Sequence, residues 1–243
     1  MRREQSKAIE IQRLNERISA CWGANVRTRA DDLEHETDFS YTHVIKPWVL
    51  DKVVRCSTPE SLILDVGCGC GFLSNVIYES GRTHIRGIDI SPASVEYARK
   101  RYPDISFACG DICSYIPEEK YDLCLSIMTL NNLPDIEGFF LATRRLILNS
   151  GRVIIVIPHP CYWPQRHLTN QDYSYFREKP YEYVFSTKGR ADYAANILYF
   201  HRTLETYYRC IEDGGFRVVQ RQELWEGSDK SAPDILGLEL ALV

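Results

Sequence analysis

Residues 62–72 read LILDVGCGCGF, a short apolar run that ends in an acid and three alternating glycines. A continuous apolar run of this length is typical of a strand buried in a parallel sheet. Gly67, Gly69 and Gly71 lack a Cβ atom, so the backbone can turn tightly and a ligand can lie against it. A helix that begins after them offers free N–H groups. The stretch therefore predicts a strand, a ligand-binding loop and the start of a helix.

The same alternation of strand and helix continues on the C-terminal side of this loop. Ser91-Pro92 is typical of a helix start, with serine as the N-cap and proline at the first helical position. Such alternation predicts an α/β fold with a doubly wound, mostly parallel seven-stranded sheet, whose last two strands pair antiparallel at one edge. We predict strands at 62–66, 85–89, 105–108, 121–126, 152–157, 216–220 and 235–240, and helices at 72–80, 92–102, 135–148 and 204–213, with 149–151 as a turn.

The N-terminal 54 residues lack strand patterns and are expected to form helices and a lid. Apolar residues recur near helical spacing within the first 20 residues, which predicts a polar helix. Residues 24–40 are polar and charged and are predicted to be a loop or lid, and a second helix is predicted from Tyr41 to Val54. The length of 243 residues fits a single domain, 1–243.

Two further acids fall at the ends of predicted strands. Asp89 ends the second strand, and its carboxylate can accept both hydroxyls of a ribose. Asp111 follows the third strand and can accept from an adenine amino group, while Ile112 covers the ring face. Because the carboxyl ends of parallel strands meet at one edge of the sheet, these acids and the glycine loop should share one nucleoside-binding site.

Composition excludes several other classes of protein. The formal net charge of −4 gives no strong attraction to nucleic acid, and no stretch reaches the ~18 apolar residues of a membrane span. The nine scattered cysteines and the absence of an apolar leader lead us to expect free thiols in a cytoplasmic protein. Their spacing does not predict a metal site. The oligomeric state stays open.

The quoted motifs together resemble those of class I S-adenosylmethionine (SAM)-dependent methyltransferases. The resemblance lies in LILDVGCGCGFLS, RGIDISPASVEYARKR, FACGDICSYIP, LCLSIMTLNNLPD and SGRVIIVIPHP, which cover about residues 55–160. It implies SAM as cofactor and S-adenosylhomocysteine (SAH) as product. By the same resemblance, Asp65, Gly67, Cys68 and Gly69 would face the methionine part, Asp89 and Ile90 the ribose, Asp111 and Ile112 the adenine, and Met128 the sulfonium. Small-molecule members often carry two histidines where this chain has Asn131-Asn132.

Two other classes of function remain open on these motifs. Nicotinamide-dependent dehydrogenases also combine a glycine loop with an acid after the second strand, but their spacing is G-x-G-x-x-G/A. Here Phe72 occupies the sixth position, which disfavours a dehydrogenase. A SAM-binding protein without catalysis is the second alternative.

The acceptor is predicted to be a small molecule, with an oxygen or nitrogen nucleophile. The loop at 129–135 lacks the Asn/Asp/Ser-Pro-Pro-aromatic motif of nucleic-acid amino-methyltransferases, and no basic tail is present. A peptide, protein or RNA acceptor is the alternative. An aromatic-rich insert, 159–200, follows the fifth strand and is predicted to cap the acceptor pocket, with Tyr162, Trp163 and Tyr199 in contact with the acceptor. The competing interpretation is a satellite hydrophobic cluster.

Four residues are candidates for a general base. His159 follows the fifth strand and His201 precedes the last core helix, and an imidazole titrates near neutral pH. Tyr41 on the N-terminal helix is a weaker candidate, as is His43. Because the methyl group of SAM is already activated, in-line positioning alone can supply most of the rate, without any base.

Overall fold

The computed structural model describes residues 2–168, 172–187, 192–225 and 232–243. Its helices are α1 (Arg2–Glu34), α2 (Lys46–Cys56), α3 (Phe72–Glu79), α4 (Pro92–Arg101), α5 (Ile136–Leu146), α6 (Trp163–His167) and α7 (Leu204–Asp213). A π-helical turn, Tyr41–Ile45, leads into α2, and 3-10 turns lie at Ile112–Ser114 and Leu130–Asn132. The strands are β1 (Ile63–Val66), β2 (Ile85–Asp89), β3 (Ser106–Cys109), β4 (Tyr121–Ile127), β5 (Ile147–Pro158), β6 (Pro180–Tyr183), β7 (Ile197–Phe200), β8 (Phe216–Leu224) and β9 (Ile235–Leu242).

Seven strands form one sheet in the order β3-β2-β1-β4-β5-β9-β8. The first five are parallel to one another, and β9 runs antiparallel to both β5 and β8. The predicted doubly wound sheet with an antiparallel edge is therefore confirmed. The order of the strands reverses between β1 and β4, because β2 lies on one side of β1 and β4 lies on the other. Open α/β sheets bind ligands at the carboxyl ends of the strands that flank such a point.

Both faces of the sheet are covered, which explains the continuous apolar runs of its strands. In β5, Val153, Ile155 and Ile157 pack into one core layer, whereas Ile154 and Val156 pack into the other. All five side chains are at most 1% exposed. A strand with two buried faces cannot alternate polar and apolar residues, and the pattern of 152–157 follows from that.

The N-terminal region departs from the sequence prediction. The prediction of a loop at 24–40 is wrong for its first part, because α1 continues to Glu34. Val26, Ala30 and Leu33 lie at helical spacing and pack against the core, with Ala30 only 1% exposed. Burial of this stripe outweighs the polar composition that suggested a loop. The helix predicted from Tyr41 is present as the π-helical turn and α2.

The predicted turn at 149–151 lies within the bounds of β5. The ladder between β4 and β5 shifts register there: Tyr121 pairs with Ile147, and Leu123 pairs with Arg152. The residues between the two paired positions bulge out of the ladder. A Cβ atom on Gly151 would lie 2.5 Å from the Ile147 side chain and 3.0 Å from the Leu148 carbonyl oxygen, so the chain folds back on itself here before the ladder resumes at Arg152.

The aromatic insert carries a separate two-stranded sheet, in which β6 and β7 pair antiparallel. Tyr181 lies opposite Tyr199, and Tyr183 lies opposite Ile197. The alternating aromatic residues at 181–185 predict a strand that pairs with 196–201 across a connection at 188–190. The pairing is present, and the connection lies outside the described residues. Within the described ranges, no helix has the length and apolar character that a membrane crossing needs.

Candidate active site

A cavity lies at the carboxyl edge of β1, β2, β3 and β4, beneath helix α1. Its walls come from the glycine loop, from the ends of these strands and from one side of α1. The lining includes all nine residues predicted to contact the cofactor: Asp65, Gly67, Cys68, Gly69, Asp89, Ile90, Asp111, Ile112 and Met128. The structure thus brings together residues that lie up to 63 positions apart in the sequence.

The glycine loop adopts a backbone conformation that side chains disfavour. The φ angles of Gly67, Gly69 and Gly71 are 72°, 55° and 81°, all in the left-handed region. A Cβ atom on Gly67 would overlap the side chain of Thr129, whereas one on Gly69 would meet no atom within 4 Å. Gly67 is therefore needed for close packing, and Gly69 leaves open space at the cavity wall.

Asp89 connects the glycine loop to the next helix. Its Oδ2 accepts from the backbone N–H of Gly69 at 2.9 Å, and its Oδ1 accepts from that of Ser91 at 2.8 Å. Burial raises the pKa of Asp89, and these two hydrogen bonds oppose that rise. Each carboxylate oxygen keeps a free lone pair, so Asp89 can still accept from a diol.

Asp65 is a second buried carboxyl at the cavity. Burial raises the pKa of Asp65 to about 6, the hydrogen bond from Ser74 lowers it, and the nearby charge of Asp89 raises it. The Ser74 hydroxyl donates to Oδ2 at 2.7 Å. Two carboxyls that repel each other at one wall favour a cationic ligand, because its charge would stabilise both ionised forms.

Asp111 and Ile112 lie at the far end of the cavity, after β3. Oδ1 of Asp111 accepts from the N–H of Cys113 at 2.9 Å, and Oδ2 accepts from the amide of Asn15 on α1 at 2.9 Å. Ile112 is 4% exposed and forms an apolar surface beside the acid. A polar acceptor next to an apolar wall fits a heteroaromatic ring that carries an amino group.

Met128 follows β4 with an unusual backbone. Its φ angle is 56°, and its N–H donates to the carbonyl of Val156 at 2.8 Å. A left-handed conformation at a residue with a long side chain is disfavoured and is often found at functional sites. It turns the chain into the 3-10 turn Leu130–Asn132, so that Asn132 and Leu133 also line the cavity.

Tyr41 is the one candidate base that lines the cavity. Its hydroxyl is buried, and burial raises the pKa of Tyr41 well above its ordinary value, an effect that Arg29 opposes. The Arg29 guanidinium lies 5.5 Å from the centre of the Tyr41 ring and pairs with Asp38 at 2.6 Å. At neutral pH, Tyr41 is therefore a neutral hydrogen-bond donor rather than a base.

The two histidines lie outside the cavity lining. His159 is 2% exposed, its Nε2 is 3.3 Å from Glu223, and its Nδ1 accepts from the N–H of Cys161. Burial lowers the pKa of His159, which Glu223 partly offsets. His201 is 1% exposed, and its Nε2 is 2.8 Å from the carbonyl of Tyr175. His159 follows β5 and His201 lies between β7 and α7, as the sequence predicts, but both rings face protein partners.

The predicted acceptor residues also lie outside this cavity. Trp163 stacks on His167 at 4.4 Å and contacts Tyr199 at 4.8 Å between ring centres. Tyr199 is fully buried, whereas Tyr162 is 38% exposed and packs on His159. Trp163 and Tyr199 belong to a separate aromatic cluster with Leu168, Tyr173, Tyr181 and Tyr183.

Helix α1 supplies the cavity residues that the sequence interpretation missed. Ile18, Trp22, Val26, Arg29 and Leu33 all line the cavity. Their spacing of three to four residues is a helical stripe, which was the available signal. The polar residues between these positions made the helical stripe difficult to recognise in the sequence. Arg29 is the one basic residue among the described residues that line the cavity.

Comparison with known proteins matches part of the chain to a known domain family. Residues 64–155 match the family model described as a methyltransferase domain. Malonyl-acyl-carrier-protein O-methyltransferase of Acetivibrio thermocellus is 40% identical over 93 residues, 37% of this chain and 33% of that protein. Trans-aconitate 2-methyltransferase of Shigella dysenteriae serotype 1 is 28% identical over 157 residues, 64% of this chain and 56% of that protein. The chain thus spans between a third and just over half of the length of these relatives.

Solved structures agree in fold. A SAM-dependent methyltransferase from Clostridium acetobutylicum superposes with a TM-score of 0.60 at 13% identity, over 81% of this chain and 90% of that chain. A TehB-like SAM-dependent methyltransferase from Corynebacterium glutamicum has a TM-score of 0.61 at 16% identity, over 90% of this chain and 99% of that chain. Residues 64–155 thus match a methyltransferase domain, and the sheet has the fold of these SAM-dependent methyltransferases.

Proposed function

We propose that the chain binds SAM in the cavity beneath α1 and transfers its methyl group to a small-molecule acceptor. The observation that supports this most strongly is the convergence of the glycine loop, Asp89 and Asp111 on one cavity. Three acids and one arginine line the cavity, so its charge balance is negative and suits a sulfonium.

Each part of the cofactor has a proposed partner among the lining residues. Asp89 would accept from the ribose hydroxyls, and Asp111 would accept from the adenine amino group beside Ile112. Asp65 would attract the ammonium group of the methionine part. Arg29, buried on the α1 side near Asp65 and Tyr41, offers a partner for a carboxylate.

The residues of the chain would contribute mainly by positioning and by excluding water. When bound, SAM supplies an electrophilic methyl group on a sulfonium. Trp22, Leu33 and Phe72 give the cavity apolar walls, and shielding from water strengthens the interactions of the acids. Because Tyr41 stays neutral and both histidines face protein partners, we propose in-line transfer without a general base.

A small-molecule acceptor is favoured over a peptide or an RNA by the enclosure of the site. Helix α1 covers the cavity, and the lining beyond the acids is largely apolar. Two relatives are named for trans-aconitate and for malonyl attached to acyl-carrier protein, which supports carboxylate acceptors as a class. The net charge of −4 does not favour RNA.

Calorimetry and isotope labelling test the proposal together. Titration with SAH should show binding, and titration with NAD should show none. Tight NAD binding without SAH binding would refute the methyltransferase assignment in favour of a dehydrogenase. Incubation of the protein with methyl-labelled SAM and a metabolite extract should place label in the small-molecule fraction. Label in protein or RNA instead would overturn the acceptor class, and no transfer with intact SAH binding would indicate a non-catalytic SAM-binding protein.

A further inference from the structure

A group of buried polar side chains lies beside the cavity, in the aromatic insert and at the start of α7. We call Tyr173, Tyr181, Tyr199, His201 and Arg202 the tyrosine–arginine cluster. The ring centre of His201 lies 5.0 Å from that of Tyr173, 6.4 Å from that of Tyr181 and 6.1 Å from that of Tyr199. The three tyrosine rings therefore pack around the ring of His201.

The cluster holds polar atoms that lack hydrogen-bond partners. The hydroxyls of its three tyrosines, Nδ1 of His201 and Nη1 of Arg202 are all buried without a partner. Eight such side-chain atoms occur among the described residues, and five of them are in this cluster. Buried polar groups are normally paired, so a local concentration of unpaired ones indicates a ligand that pairs with them.

Two contacts place the cluster next to the cavity. Nη2 of Arg202 donates to the carbonyls of Leu133 and Pro134 at 2.5 and 3.2 Å, and the Leu133 side of this loop lines the cavity. Strand β7, which carries Tyr199, packs against the 3-10 turn Leu130–Asn132. In that turn, Oδ1 of Asn131 is also buried and unpartnered. The segment 130–134 therefore contacts both the cluster and the cavity.

The unpaired atoms define the chemistry of the ligand. Arg202 and the tyrosine hydroxyls can donate to oxygen atoms, and Arg202 carries a full positive charge. Glu178 lies close enough for the Arg202 charge to lower its pKa, and its Oε1 accepts from the N–H and the hydroxyl of Thr203 at 2.8 Å each. His201 donates through Nε2 to Tyr175, which leaves Nδ1 as an acceptor.

The walls of the cluster are aromatic. Trp163 lies 4.8 Å from the Tyr199 ring and 5.1 Å from the Tyr183 ring, and Leu168 is packed in the same group. Such walls favour an apolar or unsaturated body, and the arginine with its tyrosine donors favours a carboxylate on that body.

We infer that the tyrosine–arginine cluster is the acceptor subsite and that it binds the carboxylate of a small organic acid with an apolar or unsaturated body. The inference rests on the proposed function, because it places the acceptor beside the methyl donor. It assigns Arg202, Tyr173 and Tyr181 to acceptor binding, in addition to the sequence candidate Tyr199.

Direct binding to the SAH-saturated protein tests the inference. The probes are benzoate, cinnamate and hexanoate, each compared with its primary amide by calorimetry or by ligand-detected NMR. At least one carboxylate should bind at least about tenfold more tightly than its amide, because only the carboxylate matches Arg202. Failure of all three carboxylates to bind, or equal binding of acids and amides, would overturn the inference.

Two tyrosine variants keep the test informative even if Arg202→Gln fails to fold. Tyr199→Phe and Tyr181→Phe each remove a hydroxyl that has no partner in the protein, so the Tm should stay the same or rise. Carboxylate affinity should nevertheless fall threefold or more. Tyr121→Phe is the matched control, because its buried hydroxyl pairs with that of Tyr115 at 3.3 Å, far from the cluster, and carboxylate affinity should not change.

The outcomes separate this inference from the proposed function. If wild-type protein binds SAH but the carboxylate preference survives in Arg202→Gln, or if the tyrosine variants lose Tm without losing affinity, the cluster is structural and the inference fails alone. If wild-type protein does not bind SAH at all, the proposed function itself fails.

Discussion

Asn15 of helix α1 donates its side-chain amide to Oδ2 of Asp111 at 2.9 Å, across 96 residues of sequence. The acid that is expected to contact adenine thus also anchors the helix that covers the cavity. Ser19 strengthens the same junction, because its hydroxyl donates to the carbonyl of Ile90 at 3.1 Å. Two residues proposed to bind the nucleoside, Asp111 and Ile90, therefore also hold the helix that covers the cavity.

Replacement of Asp111 by Ala should reduce SAH affinity about tenfold, because it removes one charge-assisted hydrogen bond of ~1.5 kcal/mol. It should also speed hydrogen exchange in the first half of α1. Asn15→Ala separates the two effects: exchange should become faster, while SAH affinity stays within about threefold. Equal losses of affinity in both variants would show that the helix contact, rather than the adenine contact, matters.

Replacement of Asp89 by Ala should lower SAM affinity about tenfold to a hundredfold. Up to two hydrogen bonds to the ribose are lost, each worth about 1.5–3 kcal/mol, and non-additivity favours the lower end. The Gly69 and Ser91 N–H groups also lose their acceptor. The exposed Asp104→Ala is the control and should bind like wild type in calorimetry. SAM affinity at the wild-type level in Asp89→Ala would contradict the ribose assignment.

Affinity for SAM should depend on pH because the Asp65 carboxyl, whose pKa burial raises to about 6, changes its charge near that pH. Below that pH the carboxyl is neutral and no longer attracts the ammonium group, so affinity should fall about tenfold from pH ~7.5 to ~5. Asp65→Asn should bind weakly at both pH values. Titrations of both proteins at the two pH values provide the measurement.

The stability of the ligand-free protein should change with pH in the opposite direction. The pKa of Asp65 in the folded protein is above its ordinary value, because burial favours the neutral carboxyl. The stability that the neutral carboxyl contributes to the folded protein is therefore present at low pH and is lost as pH rises through about 6. Asp65→Asn avoids a buried charge, so its Tm at neutral pH should exceed that of wild type. A lower Tm would show that the ionised carboxylate stabilises the fold.

Two glycine variants form a matched pair. Gly67→Ala should lower the free energy of unfolding by about 2–4 kcal/mol, because its Cβ overlaps Thr129 in addition to the left-handed strain. In Gly69→Ala the added Cβ meets no atom within 4 Å, so the free energy of unfolding should fall by only about 1 kcal/mol. The added methyl group nevertheless narrows the cavity. Chemical denaturation and SAH titration should therefore rank the two variants differently. Equal stability would contradict the packing role of Gly67.

Replacement of Trp163 by Ala should destabilise the protein by about 2–4 kcal/mol, because the ring packs on Tyr183, Tyr199 and His167. SAM affinity should remain within about threefold, because Trp163 lies outside the lining of the cofactor cavity. Thermal unfolding and calorimetry on this variant give both values. A large loss of SAM affinity in a folded variant would show that the insert also shapes the donor site.

The sequence alone determined the sheet, the glycine loop and the position of the acids Asp65, Asp89 and Asp111. These features depend on short contiguous patterns, and the carboxyl ends of parallel strands must meet at one edge. Prediction of the nine cofactor residues, all of which line one cavity, therefore required no information about long-range contacts.

Only the tertiary structure decided what covers that edge and where the side chains point. Helix α1, rather than the aromatic insert, covers the cavity, because its stripe from Ile18 to Leu33 is buried by segments far away in sequence. His159 and His201 follow the expected strands, but contacts with Glu223 and Tyr175 turn their rings away from the cavity. The positions of the strands follow from local patterns, whereas the orientation of a side chain depends on partners that no local pattern specifies.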